Sequence, residues 1–299
     1  MVFAQMQKVQ STSNNRQPVI SFTFDDGKTS DLAGIKLQVW HGGILKALEK
    51  HRIKAIMYVA GHNKRTTNGK YVLSSWVQAG HYLANHTLNH PNFNDEATSL
   101  EAYKKELMDN EALLKQYPRF IKYFRFPYLK EGNTEEKIAG FRNFLKQQGY
   151  GHGHVTIDNS DWYIDSRLRK RLTENPQADL NGFKEFYLNH IYEKAMYYDS
   201  MATALTNRKI AHSLLLHHNL VAGLFLDDLI AHFKSKGWKV IDGQEALMDP
   251  IYRVLPKINP AGESVVWGMA KQTGKYDQQL RYPAEGDQYE KAVMDALGL

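Results

Sequence analysis

The run Val19-Ile20-Ser21-Phe22-Thr23-Phe24, closed by Asp25-Asp26-Gly27, decides how the rest of the chain is read. Its β-branched and aromatic residues predict a buried strand, and Asp-Asp-Gly is turn-forming chemistry. Two adjacent carboxylates are therefore expected at the carboxyl end of a strand. Beyond it, apolar periodicity predicts helices over residues 43–50 and 71–79 with a short strand at 55–59 between them. The alternation continues with helices at 99–116 and 134–148, the latter stopped by Gly149, and strands at 123–126 and 154–157. A longer helical stretch, 165–208, spaces Phe183, Phe186, Tyr187, Tyr192 and Tyr197 for one face, read as core. A strand at 213–216, a helix at 224–236 and a strand at 238–241 follow. Strands separated by helices predict a parallel α/β sheet or barrel.

The flanks differ from this pattern. Residues 5–17 are polar and rich in Ser, Asn and Gln, so 1–17 reads as a flexible leader, and the opening Met1-Val2-Phe3-Ala4-Gln5, with its small residue Ala4, reads as the stub of a removed export signal. The main domain is expected over 18–248. From 249 to 299, Gly and Pro recur, as in a C-terminal extension packed on the same domain.

Composition narrows the function classes. The chain has 299 residues, 42% hydrophobic and 23% charged, which suits a globular protein with a substantial core. The formal charge of +6 is spread among acidic residues rather than gathered in blocks, and no basic-aromatic nucleic-acid module is seen. No stretch approaches the ~20 apolar residues of a membrane span. The absence of cysteine removes thiolate nucleophiles and disulfides and is compatible with either compartment; any bound metal must use His, Asp or Glu.

In parallel α/β folds, ligands gather beyond the carboxyl ends of strands. Asp25, Asp26, Arg125, Asp158, Asp161, His217 and His218 all fall at or just after expected strands. Asp-Asp-Gly alone more often makes a surface turn. His86-Thr87-Leu88-Asn89-His90 changes the odds, because an H-x-x-x-H spacing on one helical turn puts both imidazoles on one side. In a chain with 13 histidines that spacing also arises by chance, so the pair counts only in company. Two imidazoles and one Asp oxygen make a zinc-type site open to water. One aspartate would bind the cation and its neighbour take a proton. His152-Gly153-His154 is a rival pair, but the sequence supplies it no acidic partner, and it reads as structural.

Five motifs in order carry a resemblance: Thr23-Phe24-Asp25-Asp26-Gly27, His86-Thr87-Leu88-Asn89-His90, Arg125-Phe126-Pro127-Tyr128, Asp161-Trp162 and Leu214-Leu215-Leu216-His217. The chain resembles the NodB-homology polysaccharide deacetylases, carbohydrate esterase family 4. The resemblance implies a distorted (β/α) barrel of about seven strands and a hydrolase that removes acetyl groups by attack of a metal-bound water. The target would be an N-acetyl group of a chitin-like or peptidoglycan-like glycan, or an O-acetyl group of xylan. It implies that Asp26, His86 and His90 bind a divalent cation, Zn²⁺ foremost with Co²⁺ or Ni²⁺ as alternatives, and that Asp25 is the base. Arg125 would orient Asp25, Asp161 tune His217 as the acid, and the Tyr128 N–H hold the oxyanion. Trp162 and Leu215 would shape the acetyl pocket.

Three departures stand out. Leu129 occupies a position where many members have Gly, His218 one where Asp is frequent, and the long 165–208 segment is free to reshape a groove wall. Two other readings remain on the same scaffold: a deacylase of small non-glycan amides, and an inactive carbohydrate-binding protein.

Overall fold

A computed structural model describes residues 17–281 and 287–299. In chain order the elements are β1 (Val19–Asp26), α1 (Leu37–His51), β2 (Ile56–Val59), α2 (Thr67–Gln78), β3 (Tyr82–Asn85), α3 (Leu100–Leu114), β4 (Phe120–Phe124), β5 (Lys130–Gly132), α4 (Glu135–Gln147) and β6 (Gly151–His152). They continue with α5 (Asp161–Glu174), α6 (Asn181–Thr206), β7 (Ala211–His217), α7 (Leu220–Ser235), β8 (Lys239–Val240), α8 (Gly243–Ala246), β9 (Ala261–Gly262), α9 (Val265–Thr273) and α10 (Lys291–Ala296). Of the leader, only Gln17 lies among the described residues, where its side-chain amide donates to the Gly237 carbonyl at 2.8 Å; Ala4 lies outside them.

Local chemistry sets the helix boundaries. Thr66, Ser99, Thr134 and Asn219 each cap a helix by accepting a backbone N–H with the side chain. Glu135 and Glu136 add negative charge to the first turn of α4. The Asn219 cap starts α7 four residues before the expected point, because Leu220, Val221 and Ala222 are buried there.

The sheet is parallel, in the order β6-β4-β3-β2-β1-β7, with β8 also paired to β1. Central β1 is buried over almost its whole length, as its continuous apolar run requires. The strand expected at 154–157 is corrected: the regular strand is β6, and the chain beyond it crosses between two partners. Gly153 N–H donates to Phe124 O at 2.7 Å on the β4 side, whereas Thr156 and Ile157 N–H reach Ser213 O on β7 and Leu215 N–H returns to Ile157 O. A segment shared between β4 and β7 cannot stay in register with either. It closes the sheet into a distorted barrel.

Helices cover the outside. Gly43 of α1 and Gly223 of α7 let these helices nearly touch, for a Cβ on Gly43 would lie 2.1 Å from the Gly223 carbonyl oxygen. Phe183 and Tyr187 of α6 are fully buried and Phe186, Tyr192 and Tyr197 pack against the same core, matching the expected aromatic face. Toward the C-terminus, β9 pairs antiparallel with β5, and Val265 N–H donates to Val155 O at 2.9 Å. No helix among the described residues is long and apolar enough to cross a membrane.

Candidate metal centre and active site

Register brings the first two groups together. In the β1–β7 pairing Asp25 stands beside His217, and in the β1–β2 pairing Asp26 stands beside Val59. Strand alternation sends neighbouring side chains to opposite faces. Asp26 escapes that rule by taking φ 74°, and both carboxylates line one cavity at the barrel mouth.

His86 follows β3 directly, but the 86–90 segment is a loop and not the expected helical turn. Thr87 and His90 both have positive φ, 65° and 59°. The Asn85 Oδ1 accepts from Thr87 N–H, Thr87 Oγ1 accepts from His90 N–H, and Glu106 binds Asn89 twice. Side-chain acceptors thus take the backbone donors that a helix would use. The outcome for the imidazoles is nonetheless the anticipated one. His90 Nε2 is 3.4 Å and His86 Nε2 3.9 Å from Asp26 Oδ1, and one donor atom from each of the three lies within 4.8 Å of the others.

The donor set fits a divalent cation. His86 Nδ1 is 2.8 Å from the Arg125 carbonyl, which only accepts, so Nδ1 carries the proton and Nε2 presents a lone pair. Burial pushes both imidazoles down to about 4, keeping them neutral. Burial raises Asp26, but His217, His90, His86 and Lys28 outweigh it and hold the carboxyl at about 2. Two neutral nitrogens and one carboxylate oxygen are what zinc prefers at a site with an open position.

Two buried residues support the groups at the mouth. Arg125 donates from Nη1 to Asp25 Oδ1 at 2.6 Å and from Nε to Gly153 O at 2.9 Å, with its guanidinium 3.8 Å from the Tyr58 ring centre. Burial raises the Asp25 pKa, and Arg125 limits the rise. Asp161 lies 2.7 Å from His217 Nδ1 and with its other oxygen accepts from the His217 backbone N–H and the Asn219 side-chain Nδ2. Burial pulls His217 down, yet Asp161, Asp26 and Asp25 together raise it to about 9.

The cavity has a volume of about 530 Å³. Asp25, Asp26, His86, His90, Tyr128, Trp162, Leu215 and His217 line it, while Arg125 and Asp161 stand behind it. Tyr128 and Leu129 both hold positive φ, 56° and 57°, so the Leu that replaces Gly sits where Gly is easiest to accommodate. Sequence reasoning missed Lys28, Asn92, Lys130 and Glu263 on the walls. Lys28 adjoins the Asp-Asp-Gly motif and was findable; Glu263, in the Gly- and Pro-rich tail, carried no signal.

Three expectations change. His218 is fully buried against Trp40, with Nε2 2.7 Å from His41 Nδ1, so His217 alone of the pair lines the cavity. No residue of 165–208 lines it, because α6 packs on α5, α7 and α9 instead. The His152/His154 pair does have an acidic neighbour, Glu131, contributed by β5.

Fold and site define a (β/α)-barrel protein with a two-histidine, one-aspartate cradle at the carboxyl ends of its strands. Residues 12–149 match the family model described as polysaccharide deacetylase, to which this stretch of the chain is similar. It is 26% identical over 143 residues to a peptidoglycan-N-acetylglucosamine deacetylase of Listeria monocytogenes, an alignment covering 48% of this chain. The alignment spans 26% of that relative's own length. The chitin deacetylase of the fungal pathogen Colletotrichum lindemuthianum shares the fold with a TM-score of 0.55 at 18% identity, over 79% of this chain and 90% of that one. A CE4 family pseudoenzyme of Bacillus anthracis does so with a TM-score of 0.52 at 18% identity, over 78% and 66%.

Proposed function

We propose that this chain is a metal-dependent deacetylase of a polysaccharide or oligosaccharide. The observation that carries the reading is the convergence of Asp25, the Asp26/His86/His90 cradle and the Asp161-His217 pair on one cavity. Asp26, His86 and His90 would hold the cation, Zn²⁺ by donor chemistry. A cation there supplies Lewis-acid polarisation and makes a water more acidic.

The chain's own residues complete the reaction. Arg125 binds Asp25 Oδ1 and leaves Oδ2 toward His86, 3.8 Å from its Nε2. Asp25 Oδ2 takes the proton of the attacking water, and burial makes it the stronger base. The Tyr128 N–H donates to the oxygen that becomes negative in the tetrahedral state. His217, fixed at Nδ1 by Asp161, gives the Nε2 proton to the departing amine or hydroxyl. Leu215 and Trp162 enclose the acetyl methyl.

The competing readings separate by experiment. A screen of acetate release across chitin oligomers, peptidoglycan fragments, acetyl-xylan and small acetamides, with metal measured in the same preparation, is expected to favour a glycan. Release from small amides alone would support the small-amide deacylase instead. Glycan binding without turnover in zinc-loaded protein would support the inactive carbohydrate-binding protein. The intact Asp25, Asp26, His86, His90 and His217 favour turnover. Export follows as part of the proposal, since cell-wall glycans lie outside the membrane; recovery of the protein only from the cytosolic fraction would contradict it.

A further inference from the structure

A second cluster of ligand-type side chains lies behind the active-site wall. Glu131 stands on β5, His152 ends β6 and His154 follows two residues later. One donor atom from each lies within 4.8 Å of the others. They border a void of about 10 Å³, room for one ion or one water. Arg125, Phe126 and Leu129, from the turn that carries Tyr128, line the same void.

The backbone is shaped to present these groups together. Extended chain puts residues i and i+2 on one face, and the two imidazoles stack with centres 5.0 Å apart and planes 15° apart. Gly153 between them runs flush against Tyr58, where a Cβ would meet the ring at 2.3 Å. Glu131 is oriented from behind: its Oε2 accepts from Arg142 Nη2 at 2.7 Å and Nε at 3.2 Å. Its Oε1 is 3.7 Å from His154 Nδ1, beyond a hydrogen bond.

The cluster is incomplete as protein alone. His152 Nδ1 and His154 Nε2 are buried without a hydrogen-bond partner, and His154 is 7% exposed. Buried polar atoms are normally satisfied, and two unpaired imidazole nitrogens bordering one small void beside a carboxylate are accounted for by an occupant of that void. Burial lowers both imidazoles, His154 to about 3, which leaves them neutral. Burial raises Glu131, but His154, His152 and Arg142 together lower it, keeping the carboxylate ionised.

We propose that Glu131, His152 and His154 form a second divalent-cation site, zinc being the best match to two imidazoles and one carboxylate. The cation would tie β5 to β6 and brace the 125–129 turn from behind. Arg142, bonded to the ligand's outer oxygen, acts as the orienting partner that metal-binding carboxylates commonly have. The role is structural, because the void lies behind the turn rather than in the substrate cavity.

The test uses the full chain with Zn²⁺ alone. Stripped by chelator and titrated, the unaltered protein is expected to bind two zinc ions per chain by mass-spectrometric metal analysis. A His86→Ala/His90→Ala variant is expected to retain one and to show a raised thermal midpoint with zinc. Adding Glu131→Gln to that variant should remove both the ion and the shift. One zinc in the unaltered chain, with none bound and no shift in the His86→Ala/His90→Ala variant, would overturn the site and leave a water as the occupant. If Glu131→Gln fails to unfold cooperatively, His154→Gln in the same background replaces it. The zinc count in the His86→Ala/His90→Ala protein decides the matter independently of either.

Discussion

Asp25 is held through one oxygen, and Arg125 is fully committed to holding it: the guanidinium also binds Gly153 O and lies over Tyr58. Removing the base without disturbing its neighbours is therefore possible. Asp25→Asn is expected to lower kcat by roughly 10²–10⁴-fold with zinc content unchanged; unaltered acetate release would remove Asp25 from the mechanism. His217 gives a prediction in pH. Its pKa stands at about 9 in the folded chain, above the ordinary 6.5. A raised cationic group contributes stability that is complete below about pH 6.5 and is lost as pH rises through about 9. In chelator-stripped protein the urea midpoint should fall across that window, and Asp161→Asn should flatten the slope. The same substitution should move the alkaline limit of kcat/KM to lower pH. An unmoved limit would mean that another group donates the proton.

The loop from His86 to His90 shows how an element can be misread while its consequence survives. Helical spacing and a loop with two left-handed residues both bring the imidazoles together, but only the loop has Asn85 and Thr87 side chains as its internal acceptors. The contact between α1 and α7 is equally dependent on small residues. Gly43→Ala would place a methyl 2.1 Å from the Gly223 carbonyl. The helices must separate, and overpacking of this kind costs about 1–3 kcal/mol. Urea unfolding should report that loss with an unchanged m-value, and a neutral result would mean the helices slide apart freely.

Across the whole molecule, the barrel is held closed where the chain beyond β6 passes from β4 to β7. That crossing delivers Gly153 O to Arg125 and Asn159 to the mouth, so barrel closure and the candidate site share the same backbone. Removing divalent metal is expected to abolish acetate release and added Zn²⁺ to restore it. Full turnover in verified metal-free protein would contradict the cation's part. The thermal midpoint should rise with zinc in the same titration, since a ligand that binds only the folded chain stabilises it.

Local pattern determined the succession of strands and helices, the apolar face of α6, and the ordered motifs from Asp25 to His217. These were legible because burial periodicity and turn chemistry are written in consecutive residues. Tertiary structure alone decided that His217 and not His218 enters the cavity, that residues 151–157 divide between two strands, and that Glu263 reaches the wall. It also brought Glu131 beside His152 and His154, a meeting invisible along the chain because the acid arrives on a different strand. Those outcomes depend on which strands become neighbours and where the barrel closes, and such long-range pairing leaves no mark at any single spacing in the sequence.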